Sequence, residues 1–286
     1  MRFETPTSVD QAVALLAADP EARVLAGGTD LLVRLRAGQV APSVIIDIKR
    51  ISEMTVISQE DGGWRIGAAV PSAEMNEHAA LKADWPGVVE AADLIGSTQI
   101  QGRATLAGNL CNASPAADSV PAMVVAGALA RIAGPNGTRD VAVQDIPSGV
   151  GKTSLGKGEL VTSIYLPPKP AHSGDAYLRF IPRSEMDIAV VGCGVAVALD
   201  DQGKISAARV ALGAVAPTVI LSQSCADTLI GTTGDDAALD ALAAAATAEA
   251  KPIDDKRGTI AFRKDVAGVL AKRAAKIAIA RAKGEA

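Results

Sequence analysis

Aromatic residues are almost missing from this chain: three Phe, two Tyr and two Trp amount to 2% of 286 residues. A chain of this length buries a sizeable core and has room for two or three units. That core must therefore come from Ala, Val, Leu and Ile, which fill most of the 49% apolar content. Histidine and cysteine are also scarce. His78 and His172 have no metal-spaced partner, and Cys111, Cys193 and Cys225 lie far apart without a C-x-x-C pair. This spacing excludes a zinc ribbon or an iron–sulfur cluster held by this chain alone, and fits reduced thiols. With no nucleophile–base apparatus, no catalytic residue and no metal ligand is assigned, and any chemistry must arrive with a cofactor. The longest apolar runs, such as "AMVVAGALA", are far shorter than a membrane span. The opening "MRFETPTSVDQAVALLAADP" lacks the basic-then-apolar pattern of a secretory signal. A cytoplasmic protein is expected. Basic charge is not in excess either: 28 Lys and Arg against 32 Asp and Glu give a net charge of −4, which excludes a nucleic-acid footprint. The terminal "KRAAKIAIARAKGEA" reads as an exposed helix face.

What is present alternates at first. "SVDQAVALLAAD" reads as an amphipathic helix capped by Ser8 or Asp10, with Val9, Val13 and Leu16 on one face. "RVLAG" is a short strand, "DLLVRLRAG" a helix stopped by Gly38, and "SVIIDI" a buried strand, which together make a small α/β unit over residues 1–55. Residues 56–172 read as α+β. Asp61-Gly62-Gly63 marks a hairpin, "PSAEMNEHAAL" a single helix with Pro71 in its first turn, and "PGVVEAADLIG" another ended by Gly96. "ARIAGPNGTRDVAV" is a second hairpin with Asn136-Gly137 as a type I′ turn, and "YLPPKPAHSG" is the linker. Residues 173–286 hold two long apolar strands around Asp-Gln-Gly and two alanine-rich helices near 236–250 and 262–283. An antiparallel sheet with helices on one face is expected there.

Three stretches could carry chemistry. "SGVGKTSL", Ser148 to Leu155, imitates a P-loop, but the position that needs the first glycine is Ile146, and Gly156 and Gly158 interrupt any following helix. The stretch "RVLAGGTDLLVRL" places Gly27 and Gly28 between strand and helix. There backbone N–H groups can approach a phosphate, or the pair can simply make a turn. "STQIQGRATLAGNLCNASPAADSVPA" is dense in Thr105, Ala107, Gly108, Asn109, Asn112 and Ser114, small or short polar residues that let the backbone crowd a ligand. Asp118 stands at a helix start, spaced to reach a sugar hydroxyl.

Taken in order, "LAGGTDLLVRL", "QGRATLAGNLCNASPAAD", "GVGKTSLGKGELVTSIYLP" and "RFIPRSEMDIAVVGCGVAV" resemble the FAD-binding medium subunit of the molybdenum hydroxylases, the family of xanthine dehydrogenase and carbon monoxide dehydrogenase. The resemblance implies an α+β chain: a two-subdomain FAD-binding fold of the vanillyl-alcohol-oxidase type, then the C-terminal antiparallel domain. It implies that Ala26, Gly27, Gly28, Thr29 and Asp30 form one diphosphate loop and that Thr105, Leu106, Ala107, Gly108 and Asn109 form the second. Asp118 would bond a cofactor hydroxyl, Arg179 and Ile188 would stand near the flavin ring, and Val161 or Thr162 would add a further ring contact. Ala107 departs from a family glycine, and neither histidine matches a covalent attachment site, so FAD is expected to be non-covalent. The implied function is electron transfer from a small [2Fe–2S] subunit to an external acceptor, with hydroxylation at molybdopterin on a large subunit. The implied assembly is a dimer of heterotrimers, in the cytoplasm or peripheral at the inner face of the membrane. The competing reading is a free-standing FAD oxidase or dehydrogenase that acts directly on a small substrate.

Overall fold

The computed structural model describes residues 1–285. Strands β1 (Arg2–Glu4), β2 (Arg23–Leu25) and β3 (Val44–Asp47) form a parallel sheet in the order β1-β3-β2. The crossovers carry α1 (Val9–Ala18) and α2 (Leu31–Arg36). Ser8 caps α1 by accepting the Gln11 N–H, so of the two candidate caps the structure uses Ser8. The buried run Val44, Ile45 and Ile46 is what a middle strand covered on both faces requires.

The second sheet is antiparallel, in the order β4-β5-β10-β6-β7. Its strands are β4 (Ile57–Glu60), β5 (Gly63–Gly67), β6 (Leu129–Gly134), β7 (Gly137–Ala142) and β10 (Leu160–Leu166). Between them β8 (Pro147–Gly149) and β9 (Lys152–Thr153) make a separate small hairpin. The helices of this part are α3 (Ser72–Glu77), α4 (Ala79–Asp84), α5 (Pro86–Asp93), α6 (Thr98–Gln101), α7 (Leu106–Cys111) and α8 (Ser119–Val125).

Two local expectations fail here. The single helix over "PSAEMNEHAAL" is broken at His78, which ends α3 and caps α4, its Nδ1 accepting the Leu81 N–H at 3.2 Å. The ring also stands edge-on to Trp64 at 5.0 Å, so packing fixes the kink. In the second hairpin Gly134 pairs with Gly137, which makes Pro135-Asn136 the turn. A type I′ turn needs positive φ at both central residues; proline cannot supply it, and the left-handed residue is Gly137 at φ 104°.

The third sheet runs β11-β12-β13-β14, antiparallel throughout, from Ser173–Phe180, Val191–Leu199, Ile205–Gly213 and Ile220–Leu221. Sequence reading missed β11, whose Gly174, Asp175 and Arg179 break the apolar pattern. α9 (Gln223–Asp227) follows the sheet, then the long helices α10 (Asp236–Glu249) and α11 (Ile260–Lys283). Alanines of α11 close the core against Val195, Val197 and Leu212. The C-terminal helices cover one face of this sheet, as expected, and α8 from the preceding part of the chain covers the other. Gly194 lets the Pro121 carbonyl approach, for a Cβ there would sit 2.8 Å from that oxygen, and Gly213 takes the Pro121 ring at the same distance. Arg209 of β13 donates to the Val124 carbonyl at 2.8 Å. No described helix is long and apolar enough to cross a membrane.

Candidate functional site

A cleft of about 530 Å³ opens at the carboxyl ends of β2 and β3, where adjacent parallel strands leave their loops free to line a ligand. Its size is that of an ordinary small-molecule site. Ala26 to Asp30 form one wall, Thr105 and Ala107 to Asn109 another, and the β9–β10 connection from Leu155 to Glu159 with Leu160 and Val161 at the start of β10 a third. Ile48, Ala68 and Ile95 lie among its apolar lining.

The two loops touch backbone to backbone. A Cβ on Gly27 would fall 1.7 Å from the Arg103 carbonyl oxygen, so only glycine fits there. Gly28 is needed for a different reason: its φ of 78° is left-handed. The turn leaves the N–H groups of Gly27, Gly28, Thr29 and Asp30 without acceptors among the described residues. In the second loop the Thr105 hydroxyl accepts the Gly108 N–H at 2.9 Å and caps α7. The Leu106 and Ala107 N–H groups, in the first turn, have no intrahelical acceptor. Ala107 sits in helical conformation with φ negative, so its methyl costs the backbone nothing where the family glycine stood. Leu106 turns its side chain into the core and is fully buried, away from the cleft wall. Asn109 lines the cleft while its Oδ1 accepts both the N–H and the hydroxyl of Ser119, at 3.1 and 2.7 Å, which ties α7 to α8.

Asp118, Arg179 and Ile188 are not among the cleft walls. Asp118 and Arg179 bind each other instead, Arg179 Nη1 donating to Asp118 Oδ2 at 2.8 Å, with the Tyr177 hydroxyl donating to Oδ1 at 3.2 Å. Both charged side chains are at least nine-tenths buried. Burial pushes the Asp118 carboxyl up to about 6, against the opposing pull of the Arg179 charge. The same burial, with the Asp118 charge beside it, raises the Tyr177 phenol well above its usual range. Ile188 is half exposed in the β11–β12 loop, which the Asp187–Arg257 ion pair at 3.1 Å and a Met186 N–H to Gly96 carbonyl bond at 3.2 Å hold in place.

Of the two candidates on β10, Val161 lines the cleft, while the Thr162 hydroxyl donates to the Arg131 carbonyl. The G-K-T stretch forms the β8–β9 hairpin, not a strand-to-helix turn, and Thr153 joins the cleft wall. Sequence reading missed the apolar lining and two cations behind the first loop. Lys49 Nζ donates to the Ala26 carbonyl at 3.0 Å and to Asp47 Oδ1 at 2.6 Å, and Arg103 Nε lies 3.4 Å from the Gly27 carbonyl. The Asp47-x-Lys49 pair directly after a buried parallel strand was the available signal. The described residues contain no cluster of three or more metal-ligating side chains.

With this geometry in place, the comparisons with known proteins fall into line. A family model described as the FAD binding domain in molybdopterin dehydrogenase matches residues 1–169, and one for the CO dehydrogenase flavoprotein C-terminal domain matches residues 176–278. The xanthine dehydrogenase FAD-binding subunit of Escherichia coli O157:H7 is 32% identical over 285 residues, covering 99% of this chain and 97% of that protein. The carbon monoxide dehydrogenase medium chain of Afipia carboxidovorans is 33% identical over 282 residues, with 98% and 97% covered. Among solved structures, carbon monoxide dehydrogenase from Hydrogenophaga pseudoflava superposes with a TM-score of 0.94 at 32% identity, over 98% of both chains.

Proposed function

This chain belongs to the FAD-binding subunits of the molybdenum hydroxylases, and from that membership we propose which of its residues hold the cofactor and how it is placed in a larger assembly. The residues present fit FAD. The carrying observation is that two loops, one made possible by glycines and one by a capped helix start, bring N–H groups without protein acceptors to a single cleft. Such donors suit a diphosphate that is retained: no lysine follows the glycines of either loop as in a P-loop, and the lysine of the cleft lining, Lys157, stands on the β9–β10 connection.

When bound, FAD supplies the redox chemistry, receiving electrons from an iron–sulfur partner and passing them to an external acceptor. The chain's own tasks are binding, orientation and exclusion of water. The N–H groups of Gly27, Gly28, Thr29 and Asp30, with those of Leu106 and Ala107 at the start of α7, would hold the diphosphate. Ile48, Ala68, Ile95 and Val161 supply an apolar bed. Family membership would put the ring near Asp118, Arg179 and Ile188, and Asp118 is the chain neighbour of Ser119, which Asn109 of the cleft wall holds. There the Asp118–Arg179 pair presents a compensated charge, not a free cation. Hydroxylation belongs to a partner, and the chain has no group for it. A free-standing oxidase would call for a base over the ring, and the cleft walls carry no His, Tyr or Trp.

The organisation we propose is three units, residues 1–55, 56–172 and 173–286, with FAD between the first two. A large molybdenum subunit and a small [2Fe–2S] subunit complete a heterotrimer that doubles, in the cytoplasm. The absorption spectrum of the purified chain is the test. A flavin spectrum released intact on denaturation is expected; a colourless protein that binds GTP tightly would sink the reading.

A further inference from the structure

We propose that Lys49 is a positioning residue for the first diphosphate loop, fixing from behind the direction in which the Gly27 N–H points; this rests on the FAD site described above. Ala26 and Gly27 are joined by a trans peptide, in which the C=O and the N–H point to opposite sides of one plane. Lys49 Nζ holds the Ala26 oxygen at 3.0 Å. Lys49 is not among the residues that line the cleft, whereas Ala26, Gly27 and Gly28 are. The ammonium therefore pulls the carbonyl out of the cleft and turns the N–H of the same peptide into it. Without this donor the left-handed turn at Gly28 leaves the Ala26–Gly27 plane free to rotate, since glycine imposes little of its own. A carbonyl rotated into the cleft would meet the diphosphate with its negative end.

Lys49 is itself held. Asp47 Oδ1 accepts both its ammonium at 2.6 Å and its backbone N–H at 3.0 Å, so a single carboxylate fixes the two ends of the residue. The ion pair also compensates the lysine charge, which marks Lys49 as a brace for the loop and not a direct ligand of phosphate. Arg103 does the same one peptide further on, with its Nε 3.4 Å from the Gly27 oxygen. The arrangement links the carboxyl end of β3 to the loop after β2, and so couples the cleft to the two parallel strands.

The test is equilibrium titration of FAD into the full-length chain stripped of flavin, followed by fluorescence, with 31P spectra of the bound diphosphate. Lys49→Met should weaken FAD about ten- to a hundredfold, the size of a lost hydrogen bond to a charged group, and move the phosphorus resonances. Lys49→Arg should recover part of the affinity. Asp47→Asn keeps the lysine but releases it, and should also weaken binding. Wild-type affinity in Lys49→Met, or tighter binding in Asp47→Asn, as expected of a lysine freed to contact phosphate directly, would overturn the proposal. A wild-type chain that takes up no FAD would instead overturn the site assignment beneath it.

Discussion

Replacing Gly27 by alanine puts the convergence of the two loops to a quantitative test. The added Cβ would lie 1.7 Å from the Arg103 carbonyl oxygen and 2.5 Å from its carbon, both rigid backbone atoms. Relief needs a separation of at least about 1.3 Å, since packed atoms do not approach much below 3 Å. Overpacking of this kind costs about 1–3 kcal/mol of stability. The larger effect is on binding. A loop displaced by more than an ångström takes the Gly27 and Gly28 N–H groups out of hydrogen-bonding range of a fixed diphosphate. Each such bond to a charged acceptor contributes about 1.5–3 kcal/mol. Losing two weakens FAD at least a hundredfold. Gly102, which has open space where its Cβ would be, supplies the control, and Gly102→Ala should bind as the wild type does. The assay is FAD affinity by fluorescence beside thermal unfolding. A Gly27→Ala protein that keeps FAD within threefold of wild type would refute the idea that the loops meet across the cofactor.

Two other side chains give pH-dependent predictions. Neither oxygen of buried Asp175 has a hydrogen-bond partner, and burial pushes the carboxyl up to about 6, partly opposed by Lys169 and Arg281. Between about pH 4 and 6 the folded chain holds a proton that the unfolded chain has lost, so stability falls as pH rises through this window. Asp175→Asn should accordingly be more stable than wild type at pH 8, by up to about 3 kcal/mol, with the gain gone near pH 4; denaturant titrations at the two pH values decide it. Arg179→Ala strands a buried Asp118 charge and should cost about 3–5 kcal/mol at pH 8. The loss should be smaller at pH 5, where Asp118 takes up a proton, and a second change, Asp118→Asn, should recover most of it at pH 8. An Arg179→Ala deficit that is the same at both pH values would remove the ion pair from the account.

Local signals were legible wherever one residue decides the geometry. The left-handed glycines at 28, 38 and 96, the Ser8 cap and the hairpin that joins β4 to β5 are written in short windows of sequence. The two loops were legible for the same reason, since a close backbone approach admits only small residues. What escaped depends on contacts between distant segments. His78 breaks a helix because Trp64 stands against its ring, and β11 is a strand because β12 pairs with it despite a buried aspartate. At the site, Asp118 and Arg179 were each legible as polar residues in a functional stretch. Their pairing across 61 positions was not, and it changes the charge that either one offers. Lys49 was missed because its only signal, Asp47 two residues before it at the end of a buried strand, says nothing of the distant Ala26 carbonyl that it holds.

The position of α8 has a consequence for heredity. In chain order this helix belongs with the glycine loops, yet Pro121 is seated in sockets that Gly194 and Gly213 of the last sheet provide. A recombination that exchanged the C-terminal segment at the Pro167–His172 connection would bring in new sockets and keep the old proline. Substitutions at these three positions are therefore expected to travel together between lineages. The segment that can be shuffled as a working piece begins before α8, well upstream of the point where the linker would invite the cut.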